Sequence, residues 1–337
     1  MIKMKKFKQF FPGILLCTII AAPAWFLGKS FTLIGAPVFG ILFGMSLAKI
    51  SPKFNNGIKF TSKKILQYSI ILLGFEMNLF NVLKVGSQSL YIMLFTLSAA
   101  FLTAFFVGKA LKLEGKMTTL IGVGTSICGG SAIAATAPVI QAKDEDVAHA
   151  ISTIFLFNII AVFIFPALGH MLQMTDTGFG MWAGTAVNDT SSVVAAATAW
   201  STAAGNNTAL TFATIVKLTR TLMIVPITLV LAVYTAKKSK AESSTSTFKF
   251  FKIFPWFVLW FVLTCIVNTF ASIPVQVSHT LVEIGKFMIT MAMVAIGLNT
   301  NMVKLIKNGL KPIFLGLCCW FAVAATSIAV QIFIHVW

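Results

Sequence analysis

The stretch AGTAVNDTSSVVAAA, residues 183–197, decides how this chain is read. Five consecutive polar residues, Asn188, Asp189, Thr190, Ser191 and Ser192, interrupt flanks whose composition belongs in a bilayer. Residues 124–135, GTSICGGSAIAA, align with residues 184–195 without a gap. Gly124/Gly184, Thr125/Thr185, Ser131/Ser191 and Ala135/Ala195 are identical, and most other positions are small or hydroxylated. Gly129 and Gly130 weaken a helix where Asn188 to Thr190 do so in the matching stretch. Main chain leaves a helix at membrane depth only where protein or a water-filled cavity satisfies its polar groups. Two such breaks predict discontinuous or re-entrant helices and a midplane binding site built from internal repeats.

Outward from these stretches, composition sets the class. Of 337 residues, 58% are hydrophobic and only 10% charged, with 32 Phe. A soluble chain of this length exposes far more charge. About eleven apolar segments reach spanning length at roughly 20 residues each. The expectation is an all-α polytopic membrane protein, one integral domain over residues 1–337. The formal net charge of +17 does not point to nucleic acid. The lysines cluster in short loops between apolar segments, where they report topology. Lys3 to Lys8, Lys49 to Lys64, Lys109 to Lys116, Lys237 to Lys240 and Lys304 to Lys311 mark the cytoplasmic face. The N-terminus then lies inside and the C-terminus outside a bacterial cytoplasmic membrane. The first segment, ending Ala21-Ala22-Pro23-Ala24, has the shape of a signal peptide; with so many spans following, a signal-anchor helix is preferred. Residues 236–247 are Ser/Lys-rich and read as a flexible cytoplasmic linker.

A second internal match pairs residues 72–86 (LLGFEMNLFNVLKVG) with residues 295–309 (AIGLNTNMVKLIKNG). On the lysine assignment these segments run in opposite directions, as inverted repeats require. For the broken pair, continuous helices would run parallel, and re-entrant hairpins entering from opposite sides would make the pair inverted. Antiparallel crossing helices are the other arrangement, one that the segment count does not give directly.

Ionisable groups inside the apolar segments are few. Lys217 and Arg220, in IVKLTRTLMIVP, stand three residues apart on one helical face. Each costs about 2.5–3.5 kcal/mol at a helix centre, so each must face a cavity or a counter-ion. Arg220 is the only Arg in the chain, and a guanidinium fork suits a bidentate oxyanion. The competing role is a structural pair with Asp189 or Glu76. Asp189 itself reads three ways: a proton or cation site, a counter-ion to Lys217, or an N-cap of a half-helix. A half-helix N-terminus also offers N–H groups and a positive dipole end to an anion. Glu76 and Asn78, with Asn299 and Asn301, are polar groups near span ends, either coupling-ion ligands or residues exposed at the interface. Glu283 and Lys286 are placed to pair locally.

Enzyme signatures such as HExxH and GxSxG are missing, and no carboxylate or His spacing suggests a metal centre. Gly28-Lys29-Ser30 resembles a P-loop end, but Pro23 stands where the first Gly belongs. The five Cys lie in apolar segments without a CxxC and read as buried thiols, with Cys128 set apart by its broken segment. No cofactor or metal is expected.

Three motifs in order, GTSICGGSAIAATAPVI, AGTAVNDTSSVVAAATAW and KLTRTLMIVP, resemble the YeiH-like family of bacterial inner-membrane proteins over nearly the whole chain. That family commonly carries the label of sulfate exporter, a label that is itself an inference. It is grouped with the cation:proton antiporter/anion transporter superfamily. The resemblance implies inverted repeats and broken helices in a mobile core beside a scaffold. By position, the broken-helix residues are Ser126 to Ser131 and Asn188 to Ser192.

The resulting expectation is a secondary transporter of a small anion (sulfate, sulfite, or an organic sulfonate or carboxylate) coupled to H+ or Na+. Ser126, Cys128, Gly129, Gly130, Ser131, Asn188, Thr190, Ser191, Ser192, Lys217 and Arg220 are the expected substrate residues. Asp189, Glu76, Asn78, Asn299 and Asn301 are the expected coupling-ion residues. The rivals are a non-transporting membrane regulator or partner subunit, an intramembrane enzyme with Asp189 as acid, and a passive anion channel. A homodimer is the candidate assembly.

Overall fold

The structure, a computed structural model, describes residues 2–31, 35–48, 54–224, 226–231, 256–271, 273–300 and 310–336. Every regular element among them is helical. The linker 236–247, Asn301, Lys304 and Lys307 lie outside the described residues. The order is α1 (Ile2–Ser30), α2 (Ala36–Ser46), then α3 (Asn55–Phe60), which runs through a π turn into α4 (Leu66–Leu73). After α5 (Leu79–Ala110) come α6 (Gly115–Ser126), α7 (Gly130–Thr136) and α8 (Asp144–Met171). They are followed by α9 (Asp176–Ala186), α10 (Thr190–Ala204) and α11 (Thr208–Leu222). The last three are α12 (Trp256–Phe270), α13 (Val275–Asn299) and α14 (Leu310–Phe333).

Among the described residues six helices are long and apolar enough to cross a membrane: Gln9–Ser30, Leu79–Ala110, Glu145–Met171, Thr208–Leu231, Val275–Asn299 and Leu310–Phe333. Their outer faces carry large exposed apolar side chains such as Phe105, Phe106, Leu94 and Phe321, which only lipid tolerates in such number. The protein is a multi-pass membrane protein. Six is fewer than the eleven segments that hydropathy suggests. Part of the difference is physical: residues 115–136 and 176–204 are each split into two helices too short to span.

Each split pair folds back on itself. At the open end of α6 and α7, Lys116 Nζ donates to the Gln141 carbonyl at 2.6 Å, and Lys143 pairs with Glu114 at 3.4 Å. At the open end of α9 and α10, the Asp176 carboxylate accepts from Trp200 Nε1 at 2.7 Å and Asn206 Nδ2 at 2.8 Å. The first pair therefore closes beside the start of α8 and the second beside its end. α8 is one continuous helix of 28 residues, so the two hairpins point at each other from its opposite ends. α11 packs along α9. The approach is close at Gly184, where an added Cβ would stand 2.7 Å from Val216 side-chain atoms.

Candidate functional site

The hairpin tips are Ile127–Gly129 and Val187–Asp189, and they touch. A Cβ built on Gly129 would lie 3.4 Å from Asp189 Cβ, 3.5 Å from Ile154 Cγ2 and 3.6 Å from Asn158 Nδ2. Gly129 has φ +68 and ψ −133, a conformation that side-chain-bearing residues adopt only under strain. This glycine is what lets the chain turn inside the protein rather than at its surface.

An interrupted helix leaves carbonyls without partners, and two buried cations supply them. Lys217 Nζ donates to Ile127 O at 2.9 Å, to Val187 O at 3.0 Å and to Asn188 O. Arg220 Nε donates to Ser126 O at 2.6 Å; its Nη2 bonds Thr125 O, and its Nη1 bonds Thr185 O and, at 3.4 Å, Val187 O. Both side chains are 0% exposed. Each cation reaches both tips, so together they tie the hairpins to α11. The helix dipoles at the tips cancel, since two C-termini and two N-termini meet there, so two cations beside one Asp189 leave the junction positive.

Sequence reasoning aims Lys217 and Arg220 at an anion or at a carboxylate. The structure spends their donors on main-chain carbonyls instead, because the helix ends they adjoin carry unmet acceptors. All three Lys217 N–H groups are committed, and neither cation lines the cavity beside the tips.

That cavity measures about 1000 Å³. Cys128, Gly130, Ser131, Asp189, Thr190 and Ser191 form its tip wall, and Lys63, Lys64 and Gln67 stand at its other side. Asp189 caps α10: its carboxylate accepts from Ser191 N at 3.1 Å and from the Ser191 hydroxyl. Its own N–H donates to Asn158 Oδ1 at 3.1 Å. Asn158 is 3% exposed, lies near the middle of α8, and also lines the cavity. Sequence reasoning passed it over. The available signal was a lone amide inside IFLFNIIAVF, costly in a span unless engaged. Thr221, one turn beyond Lys217, lines the same cavity and had no signal of its own.

The remaining expected residues separate. Ser126, Gly129, Asn188 and Ser192 sit at the tips but not in the cavity wall. Asn188 is 1% exposed, and neither atom of its amide finds a partner among the described residues. Asn299 lines the cavity from the end of α13. Glu76 is elsewhere: exposed, it accepts from Asn207 Nδ2 at 2.8 and 2.9 Å at the opposite end of α11 from Arg220. Asn78 is the N-cap of α5, bonding Phe80 N at 2.9 Å. Neither can share an ion with Asp189. Glu283 and Lys286 do pair, at 2.8 Å.

Residues 12–316 match the family described as conserved hypothetical protein 698. A UPF0324 membrane protein of Streptococcus pyogenes serotype M18 is 53% identical over 332 residues, covering 97% of this chain and 98% of the relative. One from Fusobacterium nucleatum is 51% identical, covering 95% and 96%. Another, from Streptococcus agalactiae serotype V, is 52% identical, covering 98% and 99%.

Proposed function

The chain belongs to the conserved hypothetical protein 698 (UPF0324) family, the YeiH-like membrane proteins, and on that premise we propose that it is a secondary transporter of a small anion. The observation that carries the reading is the meeting of two helix interruptions beside a cavity at mid-span. Such interruptions at membrane depth mark substrate sites in transporters.

The anion sits in the large cavity, at the positive end of α10, where Thr190 presents its hydroxyl and main-chain N–H, while both Ser191 donors are held by Asp189. Lys217 and Arg220 act behind this site. They hold both tips in place and lend it positive potential without touching the substrate. Asp189 faces the same space, and a carboxylate about 4 Å from an anion opposes it by ~4 kcal/mol at an effective dielectric of 20. A proton or Na+ on Asp189 removes that opposition. Coupling follows: anion and cation occupy the site together.

The topology agrees with this scheme. The lysine loops would lie inside, with the N-terminus inside, the C-terminus outside and the two hairpins entering from opposite faces. Lys63 and Lys64 then stand at the cytoplasmic mouth of the cavity, so this conformation faces inward. Inverted repeats in a bacterial cytoplasmic membrane fit the two oppositely directed hairpins.

The test is a thermal-shift screen of the purified protein against sulfate, sulfite and organic sulfonates, at two pH values, with and without Na+. A ligand at about 100 times its Kd adds ~2.7 kcal/mol to the native state. Stabilisation by one of them, with flux in proteoliposomes that responds to pH or Na+, supports the transporter. No shift and no flux favours the regulator; flux indifferent to both ions favours a channel.

A further inference from the structure

A second cavity, about 290 Å³, lies at the other end of the same two helices. The large cavity touches α10 at Thr190 and Ser191 and α13 at Ile296 and Asn299. The small one touches α10 at Thr198, Ser201 and Thr202 and α13 at His279, Glu283 and Lys286. Between them α10 is closed by Val193, Val194 and Ala197 and α13 by Ile289, Ala292 and Met293, each 0% exposed. The two cavities are the two ends of one interface, sealed in its middle.

The chemistry of the small cavity is cationic. His279, Glu283 and Lys286 recur at four- and three-residue spacing and share one face of α13. Lys29 enters from the end of α1, its ammonium 5.2 Å above the Trp25 ring. Every carboxylate around this space already has a donor. Glu283 holds Lys286 at 2.8 Å. Asp176 is held by Trp200 and Asn206, and Glu76 by Asn207. Glu283 is the one carboxylate among the residues lining the cavity, so the Lys29 and Lys286 ammonium groups outnumber it there. An anion finds Lys29, which stacks over the Trp25 ring, and Lys286, paired with Glu283 and with its side chain only 17% exposed. It also finds Ser201, whose oxygen accepts from Leu210 N at 3.1 Å while its proton remains available. The volume suits a small polyatomic ion and lies below the usual range for larger ligands.

We infer that this second cavity is an outer binding site for a small oxyanion, contacted by Lys29 and Lys286, at the far end of the route from the large cavity. The inference rests on the transporter reading. Glu283 keeps the Lys286 ammonium aimed into the cavity. Opening the seal between α10 and α13 joins the two sites, so the anion passes from one set of donors to the other.

The test uses the full chain in right-side-out and inside-out membrane vesicles, with radiolabelled sulfate and, separately, sulfite. Lys29→Gln with Lys286→Gln should raise the KM for anion offered from the outer side about tenfold, the worth of a lost charge-assisted contact. The KM from the inner side should not change. Lys286→Arg should restore most of the outer affinity, and Lys29→Gln alone, at an exposed position, should show part of the loss even where the double variant folds poorly. An unchanged outer KM in a wild-type protein that carries either anion overturns the outer site and leaves the transporter standing. A wild type that carries neither removes both.

Discussion

Gly129 and Asp189 face each other across the two hairpin tips, so close that a Cβ on the glycine would stand 3.4 Å from that of the aspartate. The two residues belong to different hairpins, 60 positions apart by number, and each is the residue before its second half-helix. The site is therefore a junction, and what disturbs one tip reaches the other.

Gly129→Ala tests the junction first. The φ of +68 is unfavourable for any residue with a Cβ, at about 1–2 kcal/mol, while the added methyl meets Asp189, Ile154 and Asn158 at ordinary contact distance, so the cost is in the backbone. Thermal unfolding in detergent should show a loss of that size, with anion-dependent stabilisation reduced further. An alanine variant as stable as wild type and equally responsive to anion would show that the tips do not need this contact.

Arg220→Gln is expected to unfold the site rather than only empty it. The guanidinium serves the carbonyls of Thr125, Ser126, Thr185 and Val187, and glutamine cannot reach them all. Each helix-end carbonyl left buried without a donor costs about 1–3 kcal/mol. From the sequence the same substitution promises loss of anion binding with folding intact, because a lone Arg in a span looks like a ligand. The measurement is the apparent Tm without any anion present: a large fall supports the clamp, and an unchanged Tm with lost binding returns Arg220 to direct contact with substrate.

The membrane class and the family were legible in the sequence, and the reasons are local. Gly129-Gly130 and Asn188-Asp189-Thr190 weaken a helix whatever surrounds them, and Lys217 and Arg220 stand out in any apolar segment. What those cations bond to was not legible. Helix-end carbonyls belong to every residue type, so no side chain announces them, and their partners sit about 30 and 90 positions away. Hydropathy also counts a hairpin as a span, since its two arms are as apolar as a crossing helix. Glu76 and Asn78 look like their neighbours in the matched stretch, yet the place of Glu76 at the end of α11 away from Arg220 depends on packing that a pairwise match does not encode.

Asn188→Leu separates folding from ligand binding. An unpartnered amide buried to 1% exposure costs about 1–3 kcal/mol in the empty protein. Leucine, of similar shape, should leave the Tm unchanged or raise it. If the amide serves the occupied state, the same variant loses the anion-induced shift. A variant that is destabilised and still responds to anion would make Asn188 structural.

Asp189→Asn isolates the coupling. Asparagine caps a helix as well as aspartate does, so α10 should keep its start at Thr190 and the Tm should move by less than about 0.5 kcal/mol equivalent. The bond from Asp189 N to Asn158 uses main chain and is retained. What disappears is the charge facing the cavity. Without it the anion no longer needs a proton or Na+ beside it. Flux in proteoliposomes should persist downhill while losing its response to a pH or Na+ gradient. Coupled, gradient-driven accumulation by this variant would place the coupling ion elsewhere and remove Asp189 from the mechanism.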